Sequence, residues 1–428
     1  MNTNKLLLAL LTLSVLTLTG CVDTPWQDAP PFNVPGPTIG DTTGTDTMPA
    51  ADDTDSVATG SDDAYDPALM EDAVSSGQIL LNDKYPFVKT LSVAAGFRVD
   101  VYAEVPKARS LAIVENNGQT VVFVWNKDSG SVYAVVDTNN DFLADEVKQI
   151  AKWLTMPNGV AYRDGALYVA ERNTILRFPN ILTSLDAPIY DTVFTDLPND
   201  NQHGRKYIAF WPDGLLYVPI GAPCNNCDAG DPYASITAIN LDTQQQTIIA
   251  RGIRNTVWFD RHPETDQLRF TDNGRDQMGD NTPRDELNQI TQAGSHFGYP
   301  FCHQGTVQDP EFDTRPCSQF VAPEVVLWPH VAALGMEFYE GDQFPSAYAH
   351  DIFIAEHGSR NRSVATGYRV MMVDTESQIY EPFIQGRLQN AIVHGRPVDI
   401  KQFSDWSLLI SDDYAGLLYR VSYHPARR

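Results

Sequence analysis

Residues 207–220 read YIAFWPDGLLYVPI: an apolar arm, a turn at Pro212-Asp-Gly, and a second apolar arm. β-branched and aromatic residues fill both arms and turn formers separate them, so the segment reads as a β-hairpin. The same order recurs along the chain. Gly159-Val-Ala-Tyr turns at Arg163-Asp-Gly into Leu167-Tyr-Val-Ala and Ile175-Leu-Arg-Phe, and the quoted hairpin continues into Ile236-Thr-Ala-Ile. Leu111-Ala-Ile-Val leads to Val121-Val-Phe-Val and Val132-Tyr-Ala-Val-Val; Val257-Trp-Phe-Asp to Leu268-Arg-Phe-Thr and Glu286-Leu-Asn-Gln-Ile. Gly335-Met-Glu-Phe-Tyr leads to Asp351-Ile-Phe-Ile and Tyr368-Arg-Val-Met-Met-Val; Val398-Asp-Ile-Lys-Gln-Phe to Leu408-Leu-Ile and Leu417-Leu-Tyr-Arg-Val.

Six such units predict an all-β fold, a six-bladed β-propeller over residues 79–428, because radial repetition protects sheet edges and leaves a central channel. A β-sandwich or barrel accounts less well for six recurring units. The early strand Phe97-Arg-Val-Asp-Val-Tyr-Ala is left to supply the outer strand of the last blade and close the ring. The longest insertion, Thr291 to Pro329, is expected on one face of the propeller.

Ahead of the propeller the chain changes character twice. Met1 to Cys21 has Lys5, an apolar core from Leu6 to Leu18 too short to span a bilayer, and Leu18-Thr-Gly-Cys21, the pattern of a signal peptide whose Cys21 is lipidated. An ordinary secretory signal is the alternative. Val22 to Gln78 carries twelve acidic residues and no Lys or Arg, and reads as a disordered acidic tether with one short helix near Ala68 to Val74. Of the formal charge of −25 this leaves −13 on the rest, which argues against nucleic acid as a partner. The protein is therefore expected outside the cytoplasm, periplasm-facing or at the cell surface, held to a membrane by its lipid, the outer membrane favoured. Cys224, Cys227, Cys302 and Cys317 form an even set, which in that compartment reads as two disulfides, local pairing being simplest.

Candidate chemistry sits at corresponding places in the units. His203-Gly-Arg precedes the first strand of the third, Arg254-Asn255 that of the fourth, and His394-Gly-Arg396 that of the sixth. Residues before the innermost strands face one end of a propeller channel, so these groups should converge. A neutral His there can act as a general base, and arginines can clamp carboxylates. Thr271-Asp-Asn-Gly with Asp285-Glu-Leu-Asn offers amide and carbonyl oxygens to a hard cation. Asp137, Asn139, Asp141 and Asp145 follow EF-hand spacing, but Phe142 replaces the turn Gly and Lys148 the closing Glu, so a solvated acidic turn is the first reading and a weak calcium site the second.

Taken together, Met156-Pro-Asn-Gly-Val-Ala, His203-Gly-Arg, Pro212-Asp-Gly-Leu-Leu-Tyr-Val-Pro-Ile-Gly-Ala, Gly252-Ile-Arg-Asn, Thr271-Asp-Asn-Gly, His296-Phe-Gly-Tyr-Pro, Ala355-Glu-His-Gly-Ser and Gly395-Arg-Pro-Val-Asp resemble the soluble PQQ-dependent sugar dehydrogenases, most closely their sorbosone and aldose dehydrogenase branch. The resemblance implies pyrroloquinoline quinone lying on a calcium ion at the channel mouth. It implies His203 as the base and Arg254 as the group polarising the quinone carbonyl. Asn255, Arg396 and, in the loop after His357, Arg360 or Arg362 would bind the cofactor; Asn273 with the carbonyls of Gly274 and Arg275 would hold calcium. Two positions depart from the glucose-oxidising branch. Ala222 replaces an acid that orients the histidine, so either Asp228 or Asp231 is expected to substitute or His203 is held less firmly, and His394 replaces a cofactor arginine.

The function expected is oxidation of an aldose, or a related polyol or aldehyde, with electrons passed on to a quinone or cytochrome. A calcium-dependent propeller hydrolase of the lactonase kind and a non-catalytic binding propeller stay open.

Overall fold

The computed structural model describes residues 76–127 and 129–425. The signal segment, Cys21, the greater part of the tether and its expected short helix lie outside these residues. Six antiparallel sheets form six blades. Blade one is Ala108–Asn116, Gln119–Asn126, Ser131–Asp137 and Glu146–Ala151; blade two is Val160–Arg163, Ala166–Ala170, Ile175–Phe178 and Asp191–Phe194. Blade three is Ala209–Phe210, Leu216–Ile220, Ser235–Asn240 and Gln245–Arg251; blade four is Phe259–Arg261, Leu268–Asp272, Arg284–Gln289 and Val325–Pro329. Blade five is Ala333–Phe338, Ile352–Glu356, Arg369–Val373 and Tyr380–Gln385. Blade six is Pro397–Gln402, Leu408–Asp412, Leu417–Tyr423 and, as its outer strand, Phe97–Glu104.

The first strands of blades one and two, two and three, four and five, five and six, and six and one touch each other, so these strands line the axis. Closure is the one expected: Phe97–Glu104 runs antiparallel to Leu417–Tyr423, pairing Phe97 with Tyr423 and Glu104 with Leu417. Apolar side chains fill the wedges between blades. One cluster joins blades one and two around Trp125 and Phe178, another joins five and six around Phe353 and Tyr419, and a third joins three, four and five around Trp258 and Phe270. Burial of this kind is the main favourable term in folding, so each blade is held chiefly by its neighbours.

Three expectations about boundaries change. The tether ends early: Ser76–Lys84 is a helix, and Gln78 donates from Nε2 to the Val101 carbonyl. Blade three starts at Ala209 rather than Tyr207, because the Lys206 carbonyl accepts the N–H of Gly159 from the loop before blade two and so leaves its own ladder. The insertion is not confined to one face. Ser295–His296 pairs in parallel with the outer strand of blade three, Tyr299 then meets the loop between Cys224 and Cys227, and Val325–Pro329 is itself the outer strand of blade four. Both disulfides have the local pairing, Cys224 with Cys227 and Cys302 with Cys317.

Candidate active site at the channel mouth

The loops before the innermost strands and the turns between second and third strands share one end of the ring. His203 lies there at φ +49°, with Nδ1 2.7 Å from the carbonyl of Ala222. A carbonyl only accepts, so Nδ1 carries the proton and Nε2 keeps its lone pair. Burial, then the charge of Arg254, lower its pKa to about 3. The acid missing at Ala222 is thus replaced by that residue's own carbonyl. Asp231 instead makes a bidentate pair with Arg251, at 3.0 and 2.9 Å, and is not the group that orients His203. Gly221 lets this happen: a Cβ on it would stand 2.5 Å from Cβ of His203.

Ala222 also donates its N–H to the Arg254 carbonyl at 2.8 Å, tying base and arginine together. Arg254 is buried, and its guanidinium is fully oriented. Nε donates to the Asn225 carbonyl (2.9 Å), Nη2 to Asn225 Oδ1 (2.9 Å) and Nη1 to the Asn273 carbonyl (3.1 Å). Beneath it, the Asp272 carboxylate accepts the backbone N–H groups of Arg254 (2.8 Å) and Asn255 (2.7 Å). Burial raises Asp272 to about 7 against those two hydrogen bonds.

Asn273 donates Nδ2 to the Asn255 carbonyl at 2.9 Å, while its Oδ1 is buried with no hydrogen-bond partner. Gly274 donates its N–H to Asp285 at 3.0 Å. Asn273, Gly274, Arg254, Asp272, Glu286 and His303 border a small cavity with room for roughly one water-sized particle. The side chain of Arg275 turns away to Asp309 (2.6 Å) and Glu311 (2.8 Å), leaving only its backbone near Asn273.

A second cluster spans the ring. Asp413 accepts from Arg109 Nη1 (2.6 Å) and from His357 Nε2 (2.9 Å). Arg109 and Arg205 both stack on Trp125, 5.6 and 5.9 Å from the ring centre. Burial and the charges of Arg109, Arg205 and Arg396 bring Lys127 down to about 8, with Asp413 opposing. Arg396 is anchored by its N–H on Asp412 (2.9 Å), its Nε on the His357 carbonyl (3.1 Å) and its Nη2 on the Gly358 carbonyl (3.2 Å). Arg109, Lys127, Arg205 and Arg396 thus gather around Asp413, a set of cations suited to a polyanion.

The other cofactor candidates have partners of their own or are exposed. His394 stacks on Phe87 from the N-terminal segment, ring centres 5.9 Å apart. Arg362 is tied to the Asp280 and Pro329 carbonyls, at 3.0 and 3.3 Å, and Arg360 is exposed. The Asp137 turn is closed by its own amides: Asp137 accepts from Asn139, Asn140 and Phe142, and Asp145 from Thr138. Among the described residues no three of His, Cys, Asp and Glu gather in a metal-holding arrangement.

Sequence pattern does not single out Arg109, Lys127, Asn225 or Asp413. Arg109 had a signal, since it stands at the start of an innermost strand much as Arg254 and Arg396 stand just before theirs. Asn225 had a weaker one, its place between two cysteines.

The fold is a six-bladed β-propeller whose channel mouth gathers a buried histidine and several arginines. The family model "Glucose / Sorbosone dehydrogenase" matches residues 170–366. An uncharacterised protein of Borreliella burgdorferi is 34% identical over 355 residues, covering 78% of this chain and 91% of the relative. Among solved structures, the calcium structure of a Trichoderma reesei carbohydrate-active enzyme of family AA12 superposes with a TM-score of 0.66 at 17% identity, covering 78% of this chain and 97% of that one. The holo form of the pyranose dehydrogenase PQQ domain from Coprinopsis cinerea gives 0.65 at 18%, with the same coverage. Residues 170–366 thus carry a glucose/sorbosone dehydrogenase family domain, which by homology makes the protein an oxidoreductase, and the chain as a whole belongs with the Borreliella protein.

Proposed function

We propose that the protein oxidises a hydroxyl of an aldose, or of a related polyol or aldehyde, with PQQ held on calcium at the channel mouth. The observation that carries this reading is His203, neutral and fixed by Ala222 in the tautomer that leaves Nε2 as a base. The residues fit the cofactor. Asn273 offers a buried amide oxygen without a partner, beside the backbone of Gly274 and Arg275, an oxygen-only set suited to calcium. Arg396, Arg109, Lys127 and Arg205 supply positive charge for a polycarboxylate, which offsets the loss of an arginine at position 394. When bound, PQQ on calcium supplies the two-electron acceptor for hydride from the sugar carbon.

This chain's residues do the rest. Nε2 of His203 takes the hydroxyl proton, Arg254 keeps two N–H groups to polarise a cofactor oxygen, and Asn255 completes the cradle. Two fungal neighbours support the same reading, one a calcium structure of a family AA12 enzyme and the other the holo form of a PQQ domain. A lactonase would call for carboxylates where this mouth has arginines. We further propose that the protein works outside the cytoplasm, lipidated at Cys21, with the residues between Cys21 and the helix Ser76–Lys84 as spacer.

Calorimetric titration with PQQ, with calcium and then with chelator, tests the reading, followed by sugar oxidation with an artificial electron acceptor. Calcium-dependent binding and turnover are expected. Absence of binding under both conditions would overturn it.

A further inference from the structure

We infer that Asn225, fixed in the loop closed by the Cys224–Cys227 disulfide, is the positioning residue for Arg254. The inference rests on the reading above, in which Arg254 faces the cofactor.

The geometry is that of an arginine fork. A guanidinium usually meets two oxygens of one carboxylate, which orients it and cancels its charge. Here the two oxygens belong to one neutral residue: the Asn225 carbonyl takes Nε–H and its Oδ1 takes one Nη2–H, both at 2.9 Å. The fork is oriented and its charge is kept. Two further N–H groups, one on each terminal nitrogen, remain to face the mouth.

Asn225 is itself overdetermined. Its Oδ1 also accepts the Asp276 N–H (2.9 Å) and its Nδ2 donates to the Asp276 carbonyl (3.2 Å). Cys227 donates its N–H to the Tyr299 hydroxyl at 2.9 Å. Three loops thus meet on one asparagine: the disulfide loop of blade three, the turn after Asp272, and the insertion at Tyr299. The bridge spans only three positions, so it does little to constrain an unfolded chain. Its effect is local, holding Asn225 against Arg254.

The charges around the pair are accounted for. Asp276, Tyr299, Asp272 and Asp285 face Arg254, and none of the four accepts a hydrogen bond from its guanidinium. His203 is influenced by Arg254 and by the Ala222 carbonyl.

The test uses the full chain loaded with PQQ and calcium, comparing wild type, Asn225→Ala, Asn225→Asp and the paired variant Cys224→Ser/Cys227→Ser. Asn225→Ala is expected to lower kcat about 10- to 100-fold with KM for the sugar within about twofold, and to shift the absorbance of the bound quinone. Cys224→Ser/Cys227→Ser should move both readouts in the same direction by a smaller factor. Asn225→Asp keeps the oxygen and cancels the charge, so it should restore the orientation while raising the pKa of His203, read by NMR of the imidazole without cofactor. Wild-type kcat and spectrum in Asn225→Ala would overturn the inference; should that variant not fold, an unchanged His203 titration in Asn225→Asp would do so. Failure of wild type to bind PQQ would instead overturn the proposed function, and the imidazole titration would still judge Asn225.

Discussion

His203 is held by a single backbone carbonyl, and two predictions follow from that mount. Replacing it by Ala should cost about 10²- to 10⁴-fold in kcat while PQQ affinity, measured by calorimetry, stays near wild type. Its pH behaviour has a definite sign. The folded pKa of about 3 lies below the ordinary value of 6.5, so the base form persists as pH falls and kcat/KM should hold between pH 7 and pH 5. Stability moves the other way. The unfolded chain takes up a proton near its ordinary value and the folded chain does not, so this contribution is lost as pH falls below about 6.5. Glu286 behaves oppositely: burial, then the charge of Asp272, raises it to about 8, and the folded state loses stability as pH rises from about 4.5 towards that value. Glu286→Gln should therefore melt progressively higher relative to wild type as pH is raised through that window, read by thermal unfolding at a series of pH values. A shrinking difference would contradict the assignment.

At the scale of elements, the closing strand and the second disulfide are the informative parts. Phe97 opens the strand that seals the ring and packs edge-on against Phe344, Tyr348 and Phe383, so Phe97→Ala should cost about 3–5 kcal/mol in urea unfolding. Asp413 joins blades one and six through Arg109, both groups buried; removing it strands a charge, and Asp413→Ala should cost about 3–5 kcal/mol. The Cys302–Cys317 bridge closes a loop of fifteen positions and should contribute roughly 3 kcal/mol, unlike its shorter counterpart. Elements also show what sequence can reveal. Inner and middle strands were legible because apolar arms and Asp-Gly turns alternate visibly, as at Leu216–Ile220. Outer strands such as Asp191–Phe194 were not, since half their residues face solvent and no apolar run marks them. Arg254 and Arg396 were legible by their place before a strand. Asp413, Lys127 and Asn225 were not, because their roles arise from partners on other blades, up to 304 positions away.

For the whole molecule, the clustering of Arg109, Lys127, Arg205, Arg254 and Arg396 puts a concentration of cations at one end of an otherwise acidic ring. Chelation of calcium should abolish PQQ affinity and turnover together, and restoring calcium should return both, read by calorimetry and an acceptor-dye assay. If the lipid at Cys21 holds the protein to its membrane, Cys21→Ser should release active protein into the soluble fraction on cell fractionation. The ring itself sets one more condition. Phe97–Glu104 is nearly the first strand of the propeller to be synthesised, and its partner Leu417–Tyr423 is the last. No blade-by-blade assembly can finish the sixth sheet early. The growing ring keeps an open edge until Leu417–Tyr423 has been made, and only then can the first strand find its neighbour.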